Sequence, residues 1–342
     1  MKKLGCIGSV IFYVNSVVAF LLLLSFVLPY LPPNRFPTVS VLSLGVAPLI
    51  ILNVLFMFYW GLRLRKQFLL SLIVLILASI NFASFIKLGN SKTTNTNKES
   101  IRVATYNVRL FNKYESKEKR QEAPKVFAEY IEEVKPDILF LQEYYDNKEV
   151  NFSTLPHKYI AYNDSRGVFG HAIYSRYPIL KHGSFAFDAS SNNALWADIK
   201  VDNDTIRVYN VHLQSMRITA SVAYLQETDT EVIKNKISDA FVKQENQLKQ
   251  LRRHMEEVPN MKKIVAGDFN NTPFSYTYKK LRGEMKDAFL EKGSGIGTTF
   301  HFDGFPLRID YILVSPDIKV RQFTTLDETF SDHYSLWADV SL

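Results

Sequence analysis

This sequence predicts two β-sheets sandwiched between helices, preceded by three membrane-spanning helices. Three observations support that architecture. Long apolar runs without a single charged residue fill most of the first 86 residues. From residue 101 onward, short apolar strands alternate with hairpin signals and two long amphipathic stretches, which fits a layered α/β sandwich better than an all-parallel sheet. Polar residues gather where those strands end, and that is where a site would be built.

The first element is a membrane domain over residues 1–86. Runs at about 9–31, 38–62 and 68–86 are each close to the roughly 20 residues needed to cross about 30 Å of hydrocarbon. Lys2 and Lys3 precede the first run, Arg63, Arg65 and Lys66 separate the second from the third, and Arg35 alone lies between the first two. The positive-inside rule therefore puts the N-terminus in the cytoplasm and everything after the third run outside. A cleavable signal peptide accounts for the first run but not for the next two. Pro48 inside the second run is a kink that membrane helices tolerate. Cys6 is the only cysteine, so the outer part is held by its core without an intrachain disulfide.

Residues 87–100, rich in Ser, Thr, Asn and Lys, read as a linker. In the domain that follows, 101–342, strands are expected at 101–108, 137–142, 168–175, 195–201, 205–212, 263–267, 308–315 and 334–340. Helices are expected at 117–134 and 230–257, the second from Ile233, Ile237, Ala240, Phe241, Leu248 and Leu251 at near-helical spacing. Asp202-Asn203-Asp204 between two strand-like runs marks a hairpin turn.

Charge is distributed unevenly along the chain. Residues 1–97 carry eight Lys/Arg and no Asp or Glu, which leaves 33 basic against 34 acidic groups in the remainder. The outer domain thus lacks the positive excess of a protein that wraps nucleic acid through many phosphate contacts.

Six segments place polar residues beside an apolar strand. They are Thr105-Tyr106-Asn107-Val108, Leu139-Phe140-Leu141-Gln142-Glu143, Tyr209-Asn210-Val211-His212-Leu213, Gly267-Asp268-Phe269-Asn270, Arg308-Ile309-Asp310-Tyr311-Ile312 and Ser331-Asp332-His333. Each alone has an ordinary structural explanation. Glu143 can be a solvated strand end, Asn107 a turn former and His212 a core histidine. Asp310 can be the exposed side of an edge strand, and Asp268 the cap of a helix after Asn271-Thr272-Pro273.

In this order, the six segments resemble the endonuclease/exonuclease/phosphatase superfamily. Gly170-His171-Ala172-Ile173-Tyr174-Ser175-Arg176-Tyr177-Pro178-Ile179 is similar to that family's middle strand and turn. The resemblance covers 101–342 and none of 1–97. It implies a deoxyribonuclease I-like, four-layer sandwich and a divalent-metal-dependent phosphodiesterase or phosphatase. It also implies metal positions at Glu143, Asn107 and Asp332, whose hard oxygen donors suit Mg²⁺ or Mn²⁺.

The same resemblance gives the catalytic roles. Asp268 accepts a hydrogen bond from the attacking water, and Asn270 holds that water or a phosphoryl oxygen. His333 contacts the phosphate or shuttles a proton, Asp310 fixes its tautomer, and His212 supplies a second phosphoryl contact. Either Asp268 or His333 can be the general base. The segments 214–229 and 293–306 stand where substrate would be chosen, as cleft walls or as ordinary surface loops.

Three functions follow as expectations. The first is hydrolysis of an extracytoplasmic lipid head group or small phosphate ester, as in the sphingomyelinase and inositol-phosphatase branches, with the lipid bilayer as a partner. A surface endonuclease or exonuclease acting on DNA or RNA is the second, disfavoured by charge. The third is a non-catalytic ligand-binding membrane module. The sequence leaves oligomeric state open.

Overall fold

The computed structural model describes residues 4–82, 87, 100–162, 169–185, 187, 190–327 and 329–342. The chain opens with helices α1 (Cys6–Ser25), α2 (Pro37–Val41), α3 (Val46–Leu62) and α4 (Phe68–Asn81). Their outward faces carry Phe20, Leu24, Leu55, Phe58, Ile73 and Ile80, all exposed. Inside the bundle, Asn15 of α1 donates to Ser71 Oγ of α4 at 2.7 Å and accepts from Trp60 Nε1 of α3 at 3.1 Å. One buried amide thus ties three helices together, as polar groups do where apolar packing alone gives no register.

Two stretches, Cys6–Tyr30 and Pro37–Leu62, are long and apolar enough to cross a bilayer. The third expected span is not. Its helix runs only over the 14 residues Phe68–Asn81, about 21 Å at 1.5 Å per residue, and Phe82 N closes on Ala78 O as the backbone leaves helical geometry. Residues 83–86 of that span lie outside the described residues. So does the expected linker, apart from Lys87, which pairs with Gly295, and Ser100.

The rest of the chain supplies fourteen described strands and five helices. In order these are β1 (Ile101–Asn107), α5 (Lys117–Val134), β2 (Ile138–Tyr144), β3 (His157–Tyr162), β4 (Gly170–Ser175), β5 (Ile179–Phe185), β6 (Ala194–Val201) and β7 (Asp204–His212). There follow α6 (Val222–Glu227), α7 (Thr230–Glu256), β8 (Lys263–Asp268), α8 (Tyr276–Arg282), β9 (Lys286–Asp287) and α9 (Ala288–Lys292). The chain ends with β10 (Phe300–Phe302), β11 (Phe305–Leu307), β12 (Asp310–Val314), β13 (Lys319–Thr325) and β14 (Leu336–Ser341).

One six-stranded sheet has the order β13-β14-β1-β2-β4-β3 and the other β5-β6-β7-β8-β12-β9, with β10-β11 a separate hairpin. Each sheet has one parallel pair, β1 with β2 and β7 with β8, and both are joined by the helical crossovers that parallel strands require. Val103, Phe140, Ile173, Leu195, Val208, Ala266 and Ile312 fill the space between the sheets. Phe127 and Ile131 of α5 cover the outer face of the first sheet, and Leu248 and Leu251 of α7 cover the second. The result is the expected layering of helix, sheet, sheet and helix.

Local chemistry sets several boundaries. Ser116 caps α5 by accepting from Lys119 N, and Lys135 ends it at φ 47° ahead of Pro136. Asp202, at φ 48°, makes the two-residue turn between β6 and β7. Strands absent from the sequence reading are mostly edges, such as β3 and β5, whose exposed faces break the apolar rhythm.

The N-terminal helices dock on the sandwich. Phe82 meets the ring of Phe274 edge-on at 4.9 Å, and Phe274 and Phe305 join the same apolar cluster as Leu22 and Val46. Asn34 N donates to Glu245 Oε2 of α7 at 2.7 Å.

Candidate active site

Strand pairing alone brings two carboxylates together. Asp268 ends β8 and Asp310 begins β12, and in the antiparallel register they stand directly opposite one another. Two like charges in that position repel, so the pair needs a cation. His333 supplies it. Its Nδ1 lies 3.0 and 3.2 Å from the two Asp310 oxygens, and its Nε2 lies 3.7 Å from Asp268 Oδ2. Burial works against the imidazolium, but Asp310 and Asp268 outweigh it and raise the His333 pKa to about 10. Asp268 itself is held well above the ordinary carboxylate range, by burial first and by Asp310 second.

The Asp268 carboxylate is held by further donors. Asn270 N donates to Oδ1 at 2.7 Å, while the amides of Asn270 and Asn107 each donate to Oδ2 at 3.2 Å. Asn270 can fold back because it sits at φ 50°, a region Asn tolerates. Gly267 ahead of it is at φ 134°, and a Cβ there would lie 2.0 Å from Val211 O. This is why the run reads Gly-Asp-Phe-Asn. Asp268 does not cap the next helix; Ser275 does, accepting from Tyr278 N.

His212 ends β7 with its Nε2 3.6 Å from Asp268 Oδ2 and 3.9 Å from Glu143 Oε1. Burial, with His171 and His333 nearby, drives its pKa well below the ordinary value, so it is neutral. Among the described residues its buried Nδ1 has no hydrogen-bond partner, and Nε2 faces the carboxylates, which favours the tautomer protonated at Nε2.

Glu143 reaches the same region through a backbone defect. Between Leu141 and Tyr144 strand β2 has one residue more than its partner β4, and Glu143 within this bulge sits at φ 49°. A left-handed non-glycine residue costs of order 1–3 kcal/mol, and such strain collects at functional positions. Burial raises the Glu143 pKa, as does the Asp332 charge, against the lowering effect of His333. Asp332 stands at the rim, half-exposed, 3.6 Å from Arg109 Nε.

Two loops frame the floor. Arg109, Leu110, Phe111 and Asn112 all have φ between 42° and 54°, a left-handed turn that L-residues disfavour. Packing holds it in place. Phe111 is fully buried and stacks on Phe330 at 5.9 Å, Asn112 donates to Phe330 O at 2.8 Å, and Ser331 Oγ donates to Asn107 O at 2.8 Å. The loop that carries Asp332 and His333 is thereby fixed to the end of β1.

A cation has two donor sets to choose from. Asp268, Asp310 and His333 offer ligand atoms within 4.8 Å of one another, but the imidazole there is engaged by Asp310 and already supplies positive charge. Glu143, Asn107 and Asp332 offer oxygens only, and that chemistry fits Mg²⁺ or Mn²⁺.

Three contributors were not singled out in the sequence reading. Asn210 donates to Leu141 O and Ala172 O, both at 2.9 Å, and accepts from Gln142 Nε2 at 2.6 Å, clamping one sheet to the other beneath the site. A polar residue within the buried run Ile206–His212 was the available signal. His171 is wholly buried with its ring 5.3 Å from that of His212, and burial lowers its pKa to about 3. Thr299 Oγ1 accepts from Ile309 N and Asp310 N at 3.0 and 3.1 Å and fixes the start of β12.

Fold and site together define a layered α/β hydrolase of phosphoester bonds. A profile described as the Endonuclease/Exonuclease/phosphatase family matches residues 104–333, and the chain belongs to that family. A second profile, described only as a domain of unknown function, matches residues 8–85. Among curated proteins no match is found. The chain is similar to a Bacteroides vulgatus endonuclease/exonuclease/phosphatase structure, with 22% identity, a TM-score of 0.57, and 72% of this chain and 100% of that one covered. It is also similar to a Bacteroides thetaiotaomicron mannosyl-6-phosphatase, at 18% identity and TM-score 0.52, covering 71% of this chain and 100% of that one. A humanised D. rerio TDP2 shares the fold at 16% identity and TM-score 0.54, with 72% and 100% covered.

Proposed function

We propose that this protein is a membrane-anchored, divalent-metal-dependent phosphoester hydrolase acting on a phospholipid head group or small phosphate ester outside the cytoplasm. The observation that carries the reaction is the buried row Asp310–His333–Asp268, with neutral His212 beside it. Asp268, oriented by Asn107 and Asn270, accepts the proton of the attacking water. His333, kept protonated by Asp310, donates to the phosphoryl group and hands its proton to the leaving oxygen. His212 presents Nε2–H to a second phosphoryl oxygen, and Asn270 steadies the water. Glu143, Asn107 and Asp332 would hold the divalent ion, which when bound polarises the phosphoryl oxygen as a Lewis acid.

A lipid substrate is favoured by how near the site lies to the apolar helices. Phe274 lies in their cluster only six residues after Asp268, so the two are at most about 20 Å apart. The hairpin β10–β11 spans the same gap from another side. Phe300 lies 5.0 Å from the His333 ring, and Phe305 packs with the N-terminal helices. Exposed apolar side chains run along α1 and α3, among them Phe20, Leu24, Leu55 and Phe58, which supports a bilayer around them.

The test uses the full chain in detergent with Mg²⁺, offered choline-phospholipid vesicles and plasmid DNA in parallel, with Asp268→Ala as control. Phosphocholine release that the variant lacks supports the reading. Plasmid nicking lost in the variant makes the protein a nuclease instead.

A further inference from the structure

A cavity of about 290 Å³, with none of the reacting groups in its lining, sits at the seam between the N-terminal helices and the sandwich. One wall is apolar and aromatic. Phe26 and Tyr30 contribute from just past the end of α1, and Phe82 from just past the end of α4. The opposite wall is basic: Arg252 of α7, and Lys279, Lys280 and Arg282 of α8.

The cations are poorly neutralised. Arg252 reaches Glu256 at 3.4 Å, but among the described residues no carboxylate lies within 4 Å of Lys279, Lys280 or Arg282. Lys279 Nζ instead sits 4.2 Å from the centre of the Tyr30 ring, Lys280 Nζ 5.6 Å from that of Tyr276, and Arg282 Nε donates to Met285 O. Three positive charges gathered with no carboxylate partner among the described residues are a poor arrangement for stability alone. They form a receptor for an anion.

The surroundings name the anion's other half. Leu24 on α1, Val27 just past its end, and Leu77 and Ile80 on α4 are exposed apolar side chains within four residues of the lining residues Phe26 and Asn81. A molecule with its phosphate among the lysines would run its tails along those faces. Aromatic rings beside basic side chains are the usual furniture of a bilayer interface. We infer that this cavity binds the phosphate of an anionic phospholipid from the surrounding membrane, at a site separate from the catalytic one. The inference rests on the reading that the apolar helices lie in a bilayer.

The experiment takes the full chain in neutral detergent and follows its thermal unfolding against dioctanoyl phosphatidylglycerol, dioctanoyl phosphatidylcholine or inorganic phosphate. Phosphatidylglycerol is expected to raise Tm saturably, and the other two are not. Lys279→Ala with Lys280→Ala should weaken the apparent Kd about 30-fold, between five- and sixfold per charge, while Lys279→Arg with Lys280→Arg should keep it. An unchanged Kd in the alanine variant overturns the site, and equal stabilisation by inorganic phosphate overturns the lipid as its source. Alkaline carbonate extraction of membranes separates the two readings. If the chain is released, the membrane reading fails and this site with it; if it is retained and the Kd is unchanged, only the site fails.

Discussion

Asp310→Asn isolates the charge that holds the site together. In the native protein His333 is lifted from the ordinary 6.5 to about 10 although burial opposes it, which corresponds to about 5 kcal/mol of net preference for the imidazolium. Asp310, at 3.0 Å, is the largest favourable contributor, ahead of Asp268. An asparagine keeps the shape but loses the charge, and burial then dominates. The His333 pKa should fall below about 7, leaving no more than about a tenth of the sites protonated at pH 8. With at most about a tenth of the donors protonated, hydrolysis of bis(p-nitrophenyl) phosphate at pH 8 should drop at least about tenfold.

Titration of the His333 ring by NMR reads the cause directly, and the rate reads the consequence. The pH dependence of stability gives an independent check. A raised imidazole pKa contributes fully below pH 6.5 and is lost as pH climbs from there to about 10, because the folded state holds the proton longer. The native protein should lose stability across that window, and Asp310→Asn should flatten the loss. A His333 that still titrates near 10 in the variant would refute the reasoning.

Four further outcomes follow from the same geometry. Glu143→Gly relieves a left-handed non-glycine residue and should stabilise the fold by up to about 1 kcal/mol in denaturant unfolding while abolishing hydrolysis. Chelation with EDTA should stop hydrolysis, Mg²⁺ or Mn²⁺ should restore it, and Glu143→Gln should raise the Mg²⁺ concentration needed by about 10- to 100-fold. His171, whose pKa burial lowers to about 3, stabilises above pH 6.5 and loses that contribution as pH falls toward 3, about 2 kcal/mol by pH 5, so His171→Gln should move the acid-unfolding midpoint down. Asn15→Leu breaks the bonds to Ser71 and Trp60 and should cost about 1–2 kcal/mol in detergent-induced unfolding of the full chain.

The central strands were legible because they are buried on both faces and end in polar residues, as Ile264-Val265-Ala266-Gly267-Asp268 does. The longer helix of the sandwich was legible from the near-helical spacing of Ile233, Ile237, Ala240, Phe241, Leu248 and Leu251. The left-handed turn at Arg109–Asn112 was not, because no glycine announces it and distant packing on Phe330 holds it. Nor was His171, which between Gly170 and Ala172 looks like any core position until the neighbouring sheet brings His212 against it. The third apolar run extends past its helix, because composition does not reveal where a helix stops. The docking of Phe274 and Phe305 on the N-terminal helices depends on residues some 200 positions apart, beyond the reach of local pattern.

The Asn210 clamp bears on how such a site can arise during folding. The bulge that turns Glu143 distorts the ladder beside Leu141, and the carbonyls of Leu141 and Ala172 both receive hydrogen bonds from Asn210, which belongs to the other sheet. Until the second sheet docks, those acceptors keep their water and nothing selects the distorted backbone over a regular strand. Acquiring the unusual Glu143 geometry and docking the second sheet are therefore one event. A fragment that ends before Asn210 should therefore show no partial hydrolysis, and a protein cut between β6 and β7 should regain it only when both fragments assemble.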